Sequence, residues 1–235
     1  APLVNAATSL KPVRQLLGLL FESHSPEEIS ALDIPLIKQL PLKRISNLHQ
    51  LWHLGRNAPY TSSVGRLFDA VAALLGVIDT ADYEGESGLL LEAAALQLTP
   101  DEQPFPLAFD LSQSAEGPMQ IEWAELINTL VSERRKGTST ASLAAGFIRA
   151  ISNLVIALAE RFPGYPVVLG GGVFQNRVLM DQLVPALEAA DRQVFTSETL
   201  PLNDGGIAAG QLWFAIHHLA THRPTTAGCA TLSES

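Results

Sequence analysis

Apolar residues recur at helical spacing through most of this chain and gather into short continuous or alternating runs in only a few places. The first sixty residues read as helices separated by proline. In "PVRQLLGLLFE", opened by Pro12, the residues Val13, Leu16, Leu17 and Leu20 fall on one helical face. Ser25-Pro26-Glu27-Glu28 has the form of a helix start: a capping hydroxyl, a proline in the first turn, and two carboxylates near the positive end of the dipole. A further helix is predicted over about 43–56, stopping near Asn57 and Pro59.

Residues 61–76, "TSSVGRLFDAVAALLG", carry the clearest helical pattern. Ser62 or Ser63 can cap this helix, and Gly76 suits a left-handed stop. Leu67, Phe68, Val71, Leu74 and Leu75 make its apolar stripe, while Gly65, Arg66, Asp69, Ala70 and Ala73 fall on the other side. Small residues around one carboxylate suit a wall that faces a ligand; a solvated face has the same pattern.

The period changes over 104–123, "PFPLAFDLSQSAEGPMQIEW", which predicts a hairpin turning at Glu116-Gly117. Helices are predicted over about 123–135 and 139–161, the second apolar on more than one side and therefore buried. Next, "PVVLGGGVFQNRVLMDQL" (166–183) predicts a buried strand, a glycine turn and a helix to about Ala190. "QVFTS" (193–197) reads as a strand, "ETLPLNDGG" as a loop, and about 205–220 as a final apolar helix. Helices interleaved with short strands, closed by a strand-helix-strand unit, indicate an α/β layer with a short parallel sheet. From Arg223 onward the chain reads as a flexible tail, and no internal repeat is visible.

Composition narrows the function classes. Of the 235 residues, 47% are hydrophobic and 17% charged, which builds a packed core. A net charge of -9 argues against a nucleic-acid partner, whose affinity rests on clustered Lys and Arg. No uninterrupted apolar run reaches the ~18–20 residues of a membrane span, and no basic-then-apolar leader opens the chain. Cys229 is the only cysteine, so an internal disulfide framework is excluded and a reducing cytoplasm is the expected compartment.

Four features invite chemistry. Gly170, Gly171 and Gly172 lie between a strand and a helix, the general form of an anion-binding turn; a tight turn with Asn176 as a simple N-cap is the equal alternative. The glycine spacing matches neither a dinucleotide-binding turn nor a P-loop. Asp204, before Gly205-Gly206 and an apolar helix, can cap that helix or offer a carboxylate to a cation that carries phosphates. His49 and His53 stand at i, i+4, yet no acid at motif spacing joins them, which favours a structural role over a metal pair. His217 and His218 sit where they can complement the dipole of the last helix. No Ser-His-Asp or nucleophile-elbow pattern is present.

Taken in order, "TSSVGRLFDAVAALLG" with "YEGE" after it, then "GGGVFQN", then "NDGGIAAGQ", closely resemble the C-terminal part of the hydrogenase-maturation carbamoyltransferase family, HypF, over about residues 57–215. The tRNA threonylcarbamoyl-transferases and antibiotic-tailoring O-carbamoyltransferases are related but fit these motifs less well. The resemblance implies the C-terminal lobe of an actin-like, sugar-kinase/Hsp70-type fold, helix-rich with a short sheet. It divides the chain into a helical segment 1–60, a nucleotide-binding lobe 61–222 and a tail 223–235. It implies that Asp69 binds the ribose side of ATP or carbamoyl-adenylate, that Gly85 closes against it, and that Gly171, Gly172 and Asn176 line the nucleotide wall. Asp204 would be the carboxylate ligand of a divalent metal.

The implied chemistry is transfer of a carbamoyl group from carbamoyl-adenylate to the C-terminal cysteine of a HypE-like partner, on the way to the cyanide ligand of nickel-iron hydrogenases. The family's metal-binding histidines lie upstream of anything here, so His49 and His53 do not inherit that role. Ile148 and Arg149 depart from the family's usual His-Asn. The chain is thus expected to be one lobe of a larger enzyme. Two alternatives are a non-catalytic module that binds nucleotide or a partner, and an O-carbamoyltransferase acting on a small hydroxylated acceptor.

Overall fold

The structure, a computed structural model, describes residues 11–56, 58–59, 61–113, 119–197 and 199–221. The Glu116-Gly117 turn, Asn57, Cys229 and the tail from Arg223 lie outside the described residues.

Among the described residues four helices come first: α1 (Pro12–Leu20), α2 (Pro26–Ser30), α3 (Pro35–Lys38) and α4 (Leu42–His53). The start of α2 is a full capping box: Glu28 N–H donates to Ser25 Oγ at 3.2 Å, and Ser25 N–H donates back to Glu28 Oε2 at 2.7 Å. On α4 the His49 ring meets Phe21 edge-on at 5.1 Å and stacks near Trp52 and His53, the structural role expected of it. Among the described residues no group of three His, Cys, Asp or Glu side chains is placed to hold a metal.

The helix α5 (Val64–Leu75) follows and stops at Gly76, whose φ of +73° makes the expected left-handed cap. Ser63 occupies the N-cap position, but its side chain makes no capping bond, contrary to expectation. The helix α6 (Glu86–Ala95) is not among the elements that periodicity predicts, because the apolar residues of "GLLLEAAA" are spread around the helix and present no stripe. The hairpin of β1 (Asp110–Gln113) and β2 (Met119–Glu122) is antiparallel, with Asp110 opposite Glu122. Then come α7 (Ala124–Lys136), α8 (Thr140–Glu160), β3 (Val167–Val168), α9 (Arg177–Ala189), β4 (Val194–Phe195) and α10 (Ile207–Thr221). Two 3-10 turns, Gly172–Gln175 and Asp204–Gly206, precede α9 and α10.

The main core joins α1, α5, α6, α7 and α8, with Leu16, Leu20, Leu74, Leu91, Leu130 and Phe147 fully buried. Phe68 and Phe147 meet edge-to-face at 4.9 Å, tying α5 to α8. At 21 residues and a mean hydropathy of 1.7, α8 is long and apolar enough to cross a membrane, so the expectation that no run qualifies is corrected. Most of that helix is covered by protein, as in a core helix. It can approach the 103–105 segment closely only because residue 146 is glycine: a Cβ there would overlap the Phe105 carbonyl oxygen. Arg149 donates to Pro104 O and Ile148 is buried, so both positions that depart from the family pattern serve packing.

A smaller cluster of Ala159, Leu169, Leu183 and Leu187 sits under β3 and β4, which pair in parallel as Val167 with Val194 and Val168 with Phe195. The strand β3 is less buried than its composition predicts: Leu169 beyond it is covered, but Val168 is 72% exposed. The side chains of adjacent strand residues point to opposite faces, and the buried cluster beside α9 covers only one of them. The last helix, α10, is apolar as expected yet exposes Leu212, Trp213, Phe214, Ile216 and Leu219.

Candidate functional site

Five of the expected site residues, Asp69, Gly85, Gly171, Gly172 and Asn176, lie on or beside the first turn of α6 and the turn that follows β3. Asp69 lies on α5 and is only 6% exposed. The small-residue side of α5 is therefore no open wall: Ala70 and Ala73 are fully buried, and only Gly65 and Arg66 on that side keep partial exposure. Packing of α1, α6 and α8 onto α5 buries positions that the helical period alone assigns to the outside.

Arg66 Nη1 donates to Asp69 Oδ2 at 2.7 Å, and Arg66 Nη2 donates to the Glu84 carboxylate. Burial pushes the Asp69 carboxyl above its ordinary range; the nearby Ser87 hydroxyl and the Arg66 guanidinium oppose that rise, and Glu84 adds to it. Ser87 Oγ is buried beside Asp69 without a hydrogen bond of normal geometry, a polar group held ready next to the carboxylate.

Gly85 is the N-cap of α6 with φ +93°, a conformation that strains any residue with a Cβ. This glycine turns the chain so that Ser87 and Gly88 face α5 and α9. Asn176 caps α9: its Oδ1 accepts from Leu179 N–H at 2.9 Å, and its Nδ2 reaches Gly88 O at 3.5 Å. The side chain is 7% exposed, so the amide is held in one orientation by the helix it starts.

The glycine turn opens toward solvent. Gly171 has φ +111°, and nothing lies within 4 Å of where a Cβ would stand on Gly170, Gly171 or Gly172. Gly171 N–H donates to Leu202 O at 2.6 Å, which binds this turn to the loop before α10. Asn203 Nδ2 donates to Gln175 Oε1 at 3.3 Å, a second tie between the same segments. Asn203, not Asp204, is the cap of the following turn, accepting from Gly205 N–H at 3.0 Å. The capping alternative for Asp204 is thereby corrected, and its carboxylate stands exposed with no capping duty. One carboxylate does not make a metal site, and no further donor among the described residues completes it.

Two walls thus meet at the ends of β3 and β4: Asp69, Gly85, Ser87 and Asn176 on one, and Gly171, Gly172, Asn203 and Asp204 on the other. A groove lined by Val155, Phe162, Tyr165, Pro166 and Arg192 lies elsewhere and includes none of these residues. Arg66, Glu84, Ser87 and Asn203 are the site neighbours that motif spacing did not single out. The i, i+3 spacing of Arg66 to Asp69 is the one local signal that marks them.

A family model described as the second subdomain of the Kae1-like domain of a carbamoyltransferase matches residues 3–211. The chain belongs to this carbamoyltransferase family. The carbamoyltransferase HypF of Synechocystis sp. is 38% identical over 168 residues, covering 71% of this chain and 21% of the relative. HypF of Rhodobacter capsulatus is 36% identical over 174 residues, 74% of this chain and 22% of the relative. The chain therefore spans about a fifth of the length of the curated HypF proteins it matches. Among solved structures, full-length HypF in a phosphate- and nucleotide-bound form superposes with a TM-score of 0.78 at 28% identity, over 93% of this chain and 33% of that one. HypF of T. kodakarensis gives a TM-score of 0.72 at 27% identity, over 94% of this chain and 29% of that one. The helix-rich α/β lobe expected from the motifs is the fold of these HypF proteins.

Proposed function

We propose that this chain forms the nucleotide-binding wall of a HypF carbamoyltransferase, which moves a carbamoyl group from carbamoyl-adenylate to the C-terminal cysteine of a HypE-like protein in the cytoplasm. The observation that carries this reading is the convergence of Asp69, the Gly85 turn, Asn176 and the Gly171–Gly172 turn at one end of β3–β4. Its support is the likeness to a HypF structure solved with phosphate and nucleotide bound.

The chemistry asked of this wall is orientation. Asp69 accepts from the ribose hydroxyls, and Ser87 backs its carboxylate. The open glycine turn lets the ligand approach the backbone, and Asn176 fixes where α9 begins beside it. In the transfer, a thiolate attacks the carbamoyl carbon, a C–S bond forms, the acyl–phosphate bond breaks, and AMP departs with the electron pair. The adenylate is already activated, so catalysis consists of holding it in line and stabilising charge on the leaving phosphate. Asp204 would offer one oxygen ligand to a divalent cation, which would stabilise charge on the leaving phosphate; the other ligands would have to come from beyond the described residues.

The test supplies the complete polypeptide with carbamoyl phosphate, ATP and one of two acceptors: a protein ending in cysteine, or a small hydroxylated compound. Mass spectrometry then follows the carbamoylated product. Carbamoylation of the cysteine is expected; carbamoylation of the hydroxyl acceptor alone refutes the reading in favour of an O-carbamoyltransferase.

A further inference from the structure

We propose that Arg66 is the positioning residue of this wall: its guanidinium clamps the Asp69 carboxylate and ties α5 to the loop that carries Gly85. This rests on Asp69 facing the nucleotide. Arg66 lies one helical turn before Asp69, with its side chain only 20% exposed. Nη1 takes Asp69 Oδ2 at 2.7 Å, so Oδ1 stays outside the pair, on a carboxylate that the Ser87 hydroxyl also approaches. Nη2 takes Glu84, the residue immediately before the left-handed Gly85 that starts α6. A single planar fork therefore sets the rotamer of the ligand-facing acid and the placement of the loop that delivers Ser87. A lysine has the charge but not the fork, and cannot hold both partners in fixed planes.

The surrounding charges leave this task to Arg66. Arg134 of α7 serves the opposite end of α5, where Nη1 donates to Leu75 O at 2.7 Å. Arg149 of α8 is spent on Pro104 O, and Glu92 of α6 accepts from Arg177 N–H at 3.1 Å. Glu86 accepts from Asp82 N–H at 2.6 Å. The charged groups acting on Asp69 are Arg66, which favours its ionised form, and Glu84, which opposes it. Without the guanidinium, a buried carboxylate faces Glu84 with no counter-charge, and it takes up a proton at higher pH. The protonated acid is a poorer acceptor for ribose hydroxyls.

Calorimetric titration of the complete polypeptide with adenosine, whose lack of phosphate removes one titrating group, tests this between about pH 5.5 and 8. The native protein's profile over this range is the reference. Arg66→Met is expected to lose at least about fivefold in affinity toward the acid end, and Arg66→Lys to fall between the two. Adding Asp69→Asn to Arg66→Met should flatten the profile again. A native profile in Arg66→Met, with weakened binding in Asp69→Asn, overturns the role of Arg66 alone. Native affinity in Asp69→Asn overturns the underlying site. If circular dichroism shows the Met variant unfolded, Arg66→Lys decides, and a native profile there overturns the proposal.

Discussion

Replacing Asn176 separates its two duties. Its Oδ1 accepts from Leu179 N–H at 2.9 Å in a site only 7% exposed, so Asn176→Ala leaves a helix-terminal N–H with neither partner nor ready access to water. Losing such a cap costs about 1–2 kcal/mol. The 3.5 Å contact from Nδ2 to Gly88 O lies at the limit of hydrogen-bonding range and adds little. A loss of that size raises the opening equilibrium of the first turn of α9 by roughly 5- to 30-fold. Hydrogen exchange followed by mass spectrometry on the peptide over 176–183 reads that opening directly in the complete polypeptide. Asn176→Ser keeps a capping oxygen and should exchange at close to the native rate, yet it lacks the amide. Its adenosine affinity should fall about fivefold, the value of one hydrogen bond near 1 kcal/mol. Native exchange in the Ala variant refutes the cap. Native adenosine affinity in the Ser variant removes Asn176 from the ligand wall and leaves it a cap alone.

Gly146→Ala gains up to about 1 kcal/mol of helix propensity but forces the 103–105 segment off α8. It strains the Phe105 N–H bond to Ser142 O (3.0 Å) and the Ser142 Oγ bond to Gln103 O (2.6 Å), for a net loss of about 1–3 kcal/mol. An unchanged or raised urea midpoint refutes this. The folded chain raises the Asp69 pKa, so the stability it contributes is complete below the unfolded value of about 3.8 and is lost as pH rises through the higher folded value. Asp69→Asn should therefore gain stability relative to the native protein as pH rises through that window, and a constant difference in midpoint argues against it. Asp204→Asn should abolish bound divalent metal in the complete polypeptide, measured by elemental analysis, with the fold kept; full metal occupancy refutes the ligand role.

The elements with a local cause were legible in the residues themselves. The α2 capping box, the Gly76 stop of α5 and the cap of α9 by Asn176 each depend on residues within one or two turns. The order of the three motifs was equally legible, and it placed the chain in its family. What periodicity could not supply was α6, whose apolar residues form no stripe and whose Ser87, Leu91 and Ala95 are buried only once α5, α8 and α9 pack against it. Nor could a helical wheel show that Ala70 and Ala73 are buried, since the side of a helix that faces outward depends on which neighbours arrive.

For the site, the sequence nominated candidates: Asp69, the two glycine turns, Asn176 and Asp204 stand in the stretches that carry the family resemblance. Only the tertiary structure decided their company. It set Arg66 and Glu84 against Asp69, gave the second turn's cap to Asn203, and left Asp204 exposed. The reason is physical. Backbone conformation and capping are settled over a few residues, whereas burial and charge pairing are settled by segments that meet across tens of residues of chain.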